Sequence, residues 1–302
     1  MPGSCNGMIR ETLEKSSGRL LSESLGLCYN PEFIALGSVL RDMQYPDMHL
    51  IGQSSDWAGT IIEEILSTIV DSPVPVSRMN LTEAELVKIA VNNFVTMKIS
   101  FANMLLQATG QLDSVNIDVV TSALGLDSRI GPKYLKASTP YGGPCFPRDT
   151  RALAAFYEEM GLESSLSLAT DKVNKLHLEF IVKDLISRMK SSRNIGIVGL
   201  SYKVGSSVID ESPGFLLARE LLAQGFQVFG WDDEGTRIEN QLGHQNYQAC
   251  DTFLDLVNEV DLVVITRSVK DSISILKVVE STGVPCVDLW RNPGKTTNFS
   301  LT

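Results

Sequence analysis

The fold class read from the sequence is α/β in three parts, and three observations predict it. Residues 191–302 alternate apolar strand-like runs with helical ones: NIGIVGL, PGFLLARELLAQG, QVFGWDD, DTFLDLVNEV, DLVVITR and PCVDLW. Strands apolar on both faces and separated by helices form a parallel sheet covered on both sides, so this third is a C-terminal Rossmann-like parallel-sheet domain. Residues 79–190 are almost wholly helical in pattern, broken by a loop around 127–147, and make a central helical domain with a long buried helix. Residues 1–78 pair short strand-like runs (LGLCYN, MHLIG) with helical ones (MIRETLEKSS, WAGTIIEEILSTIV) and end in the proline-punctuated DSPVPV. This describes a partial Rossmann-like unit, in which no glycine-rich strand-to-helix turn occurs.

Composition bounds the partners. With 302 residues, 43% hydrophobic and 21% charged, the chain reads as an ordinary globular protein of more than one domain. A net charge of -10 and a pI near 4.9 argue against a nucleic-acid or anionic-membrane surface, so an anionic ligand has to be met by a local cluster. The longest apolar runs are expected to be broken by charges or glycines before they could span a bilayer. The N-terminus shows no secretory pattern, and cytoplasm is the expected location. Five scattered cysteines without a CxxC pair fit free thiols, and His49, His177 and His244 show no ligand spacing, so no metal is expected.

The segment from Leu81 to Thr109 reads as one helix, with Thr82 as N-cap and Glu85 completing a capping box. Between Ile89 and Gln107 its only charge is Lys98, which predicts burial against other helices or a partner subunit. Lys88 and Asn92, four apart, share a face to which Asn103 returns. The plain alternative is that Lys88 snorkels and the asparagines satisfy nearby backbone.

YGGPCFPRD, Tyr141–Asp149, carries the strongest chemical signal. Most free cysteines are small buried hydrophobes. Pro147, however, suits the first residue of a helix, which places Cys145 just ahead of a helix N-terminus with Arg148 beside it, a setting that favours a reactive thiolate. Gly142 and Gly143 let backbone approach a ligand closely, and Asp149, one turn beyond the thiol, could orient a water or take a proton. Farther on, Ser212 and Pro213 open a helix whose free amides suit a phosphate, although Gly196, Gly199 and Gly205 lack the GxGxxG spacing. Asp232 and Asp233 end a strand where a ribose-binding acid would sit, or simply terminate it.

Four landmarks in order resemble the UDP-glucose/GDP-mannose dehydrogenase family: NPEFIALGSVLRD with DMHLIG, ELVKIAVNNFVTMKISFANM, DSRIGPKYLKASTPYGGPCFPRD and VGLSYKVGSSVIDESPGFLLARELL. The resemblance runs through nearly the whole chain. It implies NAD-dependent oxidation of a nucleotide-sugar C6 alcohol to the uronate, through a thiohemiacetal and a thioester on cysteine. By similarity Cys145 is the nucleophile, Lys88 with Asn92 stabilises the oxyanion and Asp149 activates water. Glu32, Phe33, Ile34, Tyr141, Gly142, Gly143, Arg129 and Lys203 would contact the UDP- or GDP-sugar, and Arg148 would lie near NAD. The resemblance further implies a homodimer through the 82–109 helix and three domains: 1–78 as the C-terminal half of the NAD-binding domain, its first half expected upstream of Met1, 79–190 as the central domain and 191–302 as the nucleotide-binding one.

The sequence departs from the family pattern at Leu36, where many members carry glutamate, at Asp210, where arginine usually precedes ESP, and at Met104, where glutamate is frequent. With the missing glycine turn, these departures motivate an alternative: a non-catalytic nucleotide-sugar-binding or dimerising module. A thiol hydrolase finds little support, because no histidine accompanies Cys145 in a recognisable motif.

Overall fold

The computed structural model describes every residue except 22, 35, 36, 190, 271 and 292–302; the Leu36 departure lies outside the described residues. The chain forms two compact units, Met1–Asn93 with Ala152–Glu163 and Phe94–Arg151 with Ser164–Thr302. The predicted α/β class holds in both.

In the first unit α1 (Arg10–Ser17) precedes β1 (Cys28–Tyr29), α2 (Val39–Gln44), β2 (His49–Gln53), α3 (Asp56–Ser67) and β3 (Val76–Asn80), and the chain then enters α4 (Leu81–Thr109). The sheet order is β1-β2-β3. β2 and β3 are parallel, as a crossover through α3 requires, while β1 runs antiparallel to β2. β2 is buried along His49–Gly52, whereas β3 alternates half-buried with exposed residues. That alternation, on the polar-mixed VSRMN, is why a strand stands where the sequence shows only the end of a proline-punctuated stretch. Gly52 lets α4 lie on β2, because a Cβ there would meet the Ala84 Cβ at 2.7 Å.

α4 spans the expected Leu81–Thr109, but its N-cap lies two residues before the expected one. Asn80 accepts the Glu83 amide at 2.9 Å and Glu83 accepts the Asn80 amide at 2.9 Å, so the capping box is Asn80–Glu83 and not Thr82–Glu85. Glu85 is buried and has another task, accepting the amides of Gly3 (2.7 Å) and Cys5 (2.9 Å). The expectation that no apolar run is long enough to span a bilayer also needs correction: α4, at 29 residues, meets that criterion by length and composition. Its buried polar side chains Thr96, Ser100 and Asn103, each hydrogen-bonded to other parts of the chain, tie one side of it down, while Phe94, Phe101 and Met104 are exposed, so the long helix expected to be buried is buried on one side only.

In the second unit, which takes up α4 from Phe94, there follow α5 (Ile117–Leu126), α6 (Phe146–Glu159, its residues from 152 in the first unit), α7 (Ser165–Met189), β4 (Asn194–Val198), α8 (Pro213–Ala223), β5 (Gln227–Trp231), α9 (Glu239–Leu242), β6 (Tyr247–Ala249), α10 (Phe253–Glu259), β7 (Leu262–Ile265), α11 (Ser272–Thr282) and β8 (Cys286–Asp288). The sheet is fully parallel in the order β6-β5-β4-β7-β8, the doubly wound order in which the first strand lies at the centre. One face carries a core that joins Leu106 of α4, Ile117 of α5 and Leu185 of α7 to Leu217 and Leu221 of α8. The other packs Leu256 and Val257 of α10 and Leu276 of α11 on Val263 and Ile265. Burying each such side chain contributes about 1.5–3 kcal/mol.

Candidate active site

The cysteine loop is built within the second unit. α6 begins at Phe146, one residue ahead of Pro147, and Cys145 caps it: its carbonyl accepts the Asp149 amide at 2.8 Å while its thiol is exposed. Arg148 donates to the buried Asp149 at 2.9 Å. Its guanidinium pKa is raised, first by Asp149 and further by Cys145. An accessible thiol, a cation and a carboxylate thus share the first turn of one helix.

The glycines of this loop are required by the chain itself. A Cβ on Gly142 would lie 2.1 Å from the Glu211 carbonyl oxygen. Gly143 has φ +79°, and a Cβ there would lie 2.5 Å from the Tyr202 ring. Glu211 presents that carbonyl from a left-handed conformation (φ 50°), accepts the Gly143 amide at 3.3 Å, and pairs its carboxylate with Arg151 at 2.7 Å. Burial raises the Tyr202 phenol in pKa, and its ring lies against Gly143, two residues before the thiol.

The approach to the loop is held from several sides, by Asn103, which the sequence reading placed on the Lys88 face, and by residues to which it gave no role. Asn174 on α7 accepts the Tyr141 amide at 2.8 Å and donates to the Tyr141 carbonyl at 2.9 Å. Asn103 on α4 accepts from the Ser138 amide (2.8 Å) and donates to the Thr139 carbonyl (3.1 Å). His177 bonds the Ser138 carbonyl through Nε2 at 2.7 Å and Gln107 through Nδ1 at 3.1 Å, and burial pushes its pKa down to about 4. It is therefore neutral, with Nε2 donating and Nδ1 accepting. Trp290 donates to Thr139 Oγ1 at 3.2 Å, and Arg291 donates to the Ala137 carbonyl and, bidentately, to Asp118. A sequence signal for part of this set exists: Thr170, Asn174 and His177 begin the stripe of α7 that continues as Ile181, Leu185 and Met189.

In the first unit the structure brings three predicted residues together. Lys88 on α4 donates to the Glu32 carbonyl and lies 4.5 Å from the centre of the Phe33 ring. Asn30 anchors this loop to β2 through a 3.0 Å bond to the Leu50 carbonyl. Ile34 follows, partly exposed, and Asn92 is half-buried one turn beyond Lys88.

Other predicted groups are engaged elsewhere. Arg129 is exposed and paired with Asp127 at 2.6 Å. Ser212 caps α8 by position, but its hydroxyl donates to the Leu200 carbonyl at 2.7 Å. Asp232 accepts the Ser201 amide (2.7 Å) and Arg267 (2.9 Å), and Asp233 accepts Arg267 and the Lys270 amide. Asp232 thereby braces the loop that carries Tyr202 and Lys203, and Asp233 holds the segment from Arg267 to Lys270. Among the described residues no cluster of histidine, cysteine and carboxylates could hold a metal ion.

The first unit's β2-α3-β3 crossover is the piece from which a dinucleotide domain is built. Its strand-to-helix turn, however, sets the Asp56 carboxylate, 98% exposed, in the first turn of α3, where a phosphate would need bare amides. The crossover fits NAD binding, and this turn does not fit a pyrophosphate.

Comparisons with known proteins agree with this architecture. Residues 1–70 match the NAD binding domain of the UDP-glucose/GDP-mannose dehydrogenase family, and residues 82–176 match its central domain. The chain is 30% identical over 268 residues to UDP-glucose 6-dehydrogenase of Rickettsia typhi, covering 87% of this chain and 60% of that one. It is 33% identical over 239 residues to the enzyme of the same name from Haloferax volcanii, covering 78% and 55%. The chain thus spans about 60% of the length of such relatives. Among solved structures, the UDP-glucose dehydrogenase of Pyrobaculum islandicum superimposes with a TM-score of 0.83 at 30% identity, over 97% of this chain and 66% of that one. On the two domain matches and these likenesses, the chain belongs to the UDP-glucose/GDP-mannose dehydrogenase family.

Proposed function

We propose that the chain serves an NAD-dependent nucleotide-sugar dehydrogenase that oxidises the C6 primary alcohol of a sugar nucleotide, UDP-glucose first among candidates, to the carboxylate. The observation that supports this best is the exposed Cys145 thiol capping α6 beside Arg148 and Asp149. NAD, when bound, accepts the hydrides.

The rest is assigned to the chain's own groups. The Cys145 sulfur bonds to the aldehyde carbon left by the first oxidation, and the carbonyl oxygen takes up the charge. The same sulfur holds the acyl group after the second oxidation. Water then adds, the C–S bond breaks and the sulfur leaves with its electron pair. Covalent capture of this kind retains a reactive aldehyde between steps. Lys88, with Asn92, is assigned to the oxyanion, and Asp149 to the water proton. Glu32, Phe33, Ile34, Arg129, Tyr141, Gly142, Gly143 and Lys203 are assigned to the sugar nucleotide, and Arg148 to the cofactor side.

The reading includes the three-domain division and a cytoplasmic setting, consistent with five free cysteines. It also includes a homodimer through α4, whose Phe94, Phe101 and Met104 form an exposed apolar stripe. A monomer by light scattering at micromolar concentration would remove the dimer. Incubation with NAD and a panel of UDP- and GDP-sugars tests the chemistry: NADH should form with UDP-glucose, and Cys145→Ser should abolish uronate formation. No NADH from any sugar, or turnover indifferent to Cys145→Ser, overturns the reading.

A further inference from the structure

We propose that Asn174 is a positioning residue for Cys145, acting through the Tyr141 peptide; the proposal rests on Cys145 being the nucleophile. The thiol sits on an arch with two pinned feet. The downstream foot is Thr150, whose hydroxyl bonds Thr96 at 3.1 Å inside the core. The upstream foot is Tyr141, whose amide and carbonyl are both taken by the one planar carboxamide of Asn174, at 2.8 and 2.9 Å. This is the double bond a neighbouring β-strand would make, supplied instead by a side chain from α7.

What lies between the feet makes the upstream clamp decisive. Gly142 and Gly143 follow it at once and have no side chains to anchor. Glycine also has the most conformational freedom to lose. If Tyr141 is released, the arch keeps the 3.3 Å bond from the Gly143 amide to the Glu211 carbonyl but loses its two shorter ones, and motion enters at the two glycines, three and two positions before the thiol. Asn103 and His177 hold Ser138 and Thr139, upstream of the clamp, and cannot replace it. The geometry of the thiol relative to Arg148 is therefore what Asn174 sets, and the chemistry of Asn suits it. Aspartate would keep the acceptor for the Tyr141 amide but lose the donor to its carbonyl, and alanine would lose both.

The test uses the chain without substrate or cofactor. Cys145 is alkylated with iodoacetate and with iodoacetamide, the site is read by mass spectrometry, and Cys145→Ser serves as the blank. The ratio of the two rates reports whether Arg148 stands beside the sulfur, because only iodoacetate is anionic. Asn174→Ala should lower that ratio roughly threefold to tenfold, the range that one or two lost hydrogen bonds give. Asn174→Asp should fall between it and the natural chain, and the rates at Cys28, Cys250 and Cys286 should stay unchanged. A merely structural role would raise all cysteine rates together and leave the reagent ratio alone, and that outcome overturns the proposal. So does a folded Asn174→Asp with the natural ratio, which decides the matter should Asn174→Ala not fold. A chain that makes no NADH yet shows the ratio change would retain the positioning role and lose the dehydrogenase reading; turnover with an unchanged ratio would do the reverse.

Discussion

The two sheets of this molecule are built from similar lengths of strand but rest on different supports. In the second unit β4 and β7 are buried almost throughout, with separate apolar clusters on the two faces of the sheet. In the first unit only β2 is buried to that degree, β3 is half open, and α3 turns Trp57, Ile61 and Ile65 outward at successive i, i+4 positions. Parallel strands covered on both sides read as unbroken apolar runs, and strands covered on one side do not. Burial thus decides both how much a residue contributes to stability and how plainly its element shows in the sequence.

The largest test of that comparison removes a core side chain from the well-covered sheet. Leu221 is fully buried on α8, and Leu221→Ala should cost about 2–5 kcal/mol by urea denaturation. A cost near zero would break the contrast at its strong end. Next is pH. His177 has its pKa lowered from 6.5 to about 4 by burial, so the folded state favours the neutral ring. Its contribution is complete above the unfolded pKa of 6.5 and is lost as pH falls from there towards 4, by up to about 3 kcal/mol. Stability measured across that window should show the slope, and His177→Gln should remove most of it. The smallest effect belongs to the first unit: Ile65→Ala, at a position 52% exposed, should change stability by less than about 0.5 kcal/mol. A cost several times larger would mean that this face is covered in solution.

Legibility follows the same division. β4, β5, β7, β8, α8 and α10 are visible as apolar runs or periodic stretches because both faces of their sheet are buried. β3 and β6 are not, since VSRMN alternates exposed with half-buried positions and only Tyr247 of YQA is buried. The N-cap of α4 is misplaced in the sequence reading because two capping boxes, Asn80–Glu83 and Thr82–Glu85, overlap, and only the fold shows that Glu85 is drawn away to Gly3 and Cys5. At the candidate site, Pro147 was enough to put Cys145 at a helix N-terminus. The need for Gly142 and Gly143 was legible but its cause was not, because Glu211 and Tyr202 approach them from more than fifty residues away. Asn174 and His177 showed only as polar residues on an otherwise apolar stripe.

The tie made by Trp290 and Arg291 bears on the order in which the protein can be finished. Thr139 and Ala137 leave the ribosome about 150 residues before the side chains that will hold them. At 5–20 residues per second, the interval is roughly 8–30 s. During that time the segment leading to Cys145 lacks two of its restraints, while the thiol is already made. The exposed Cys145 thiol is thus made well before the segment that leads to it is fully fastened.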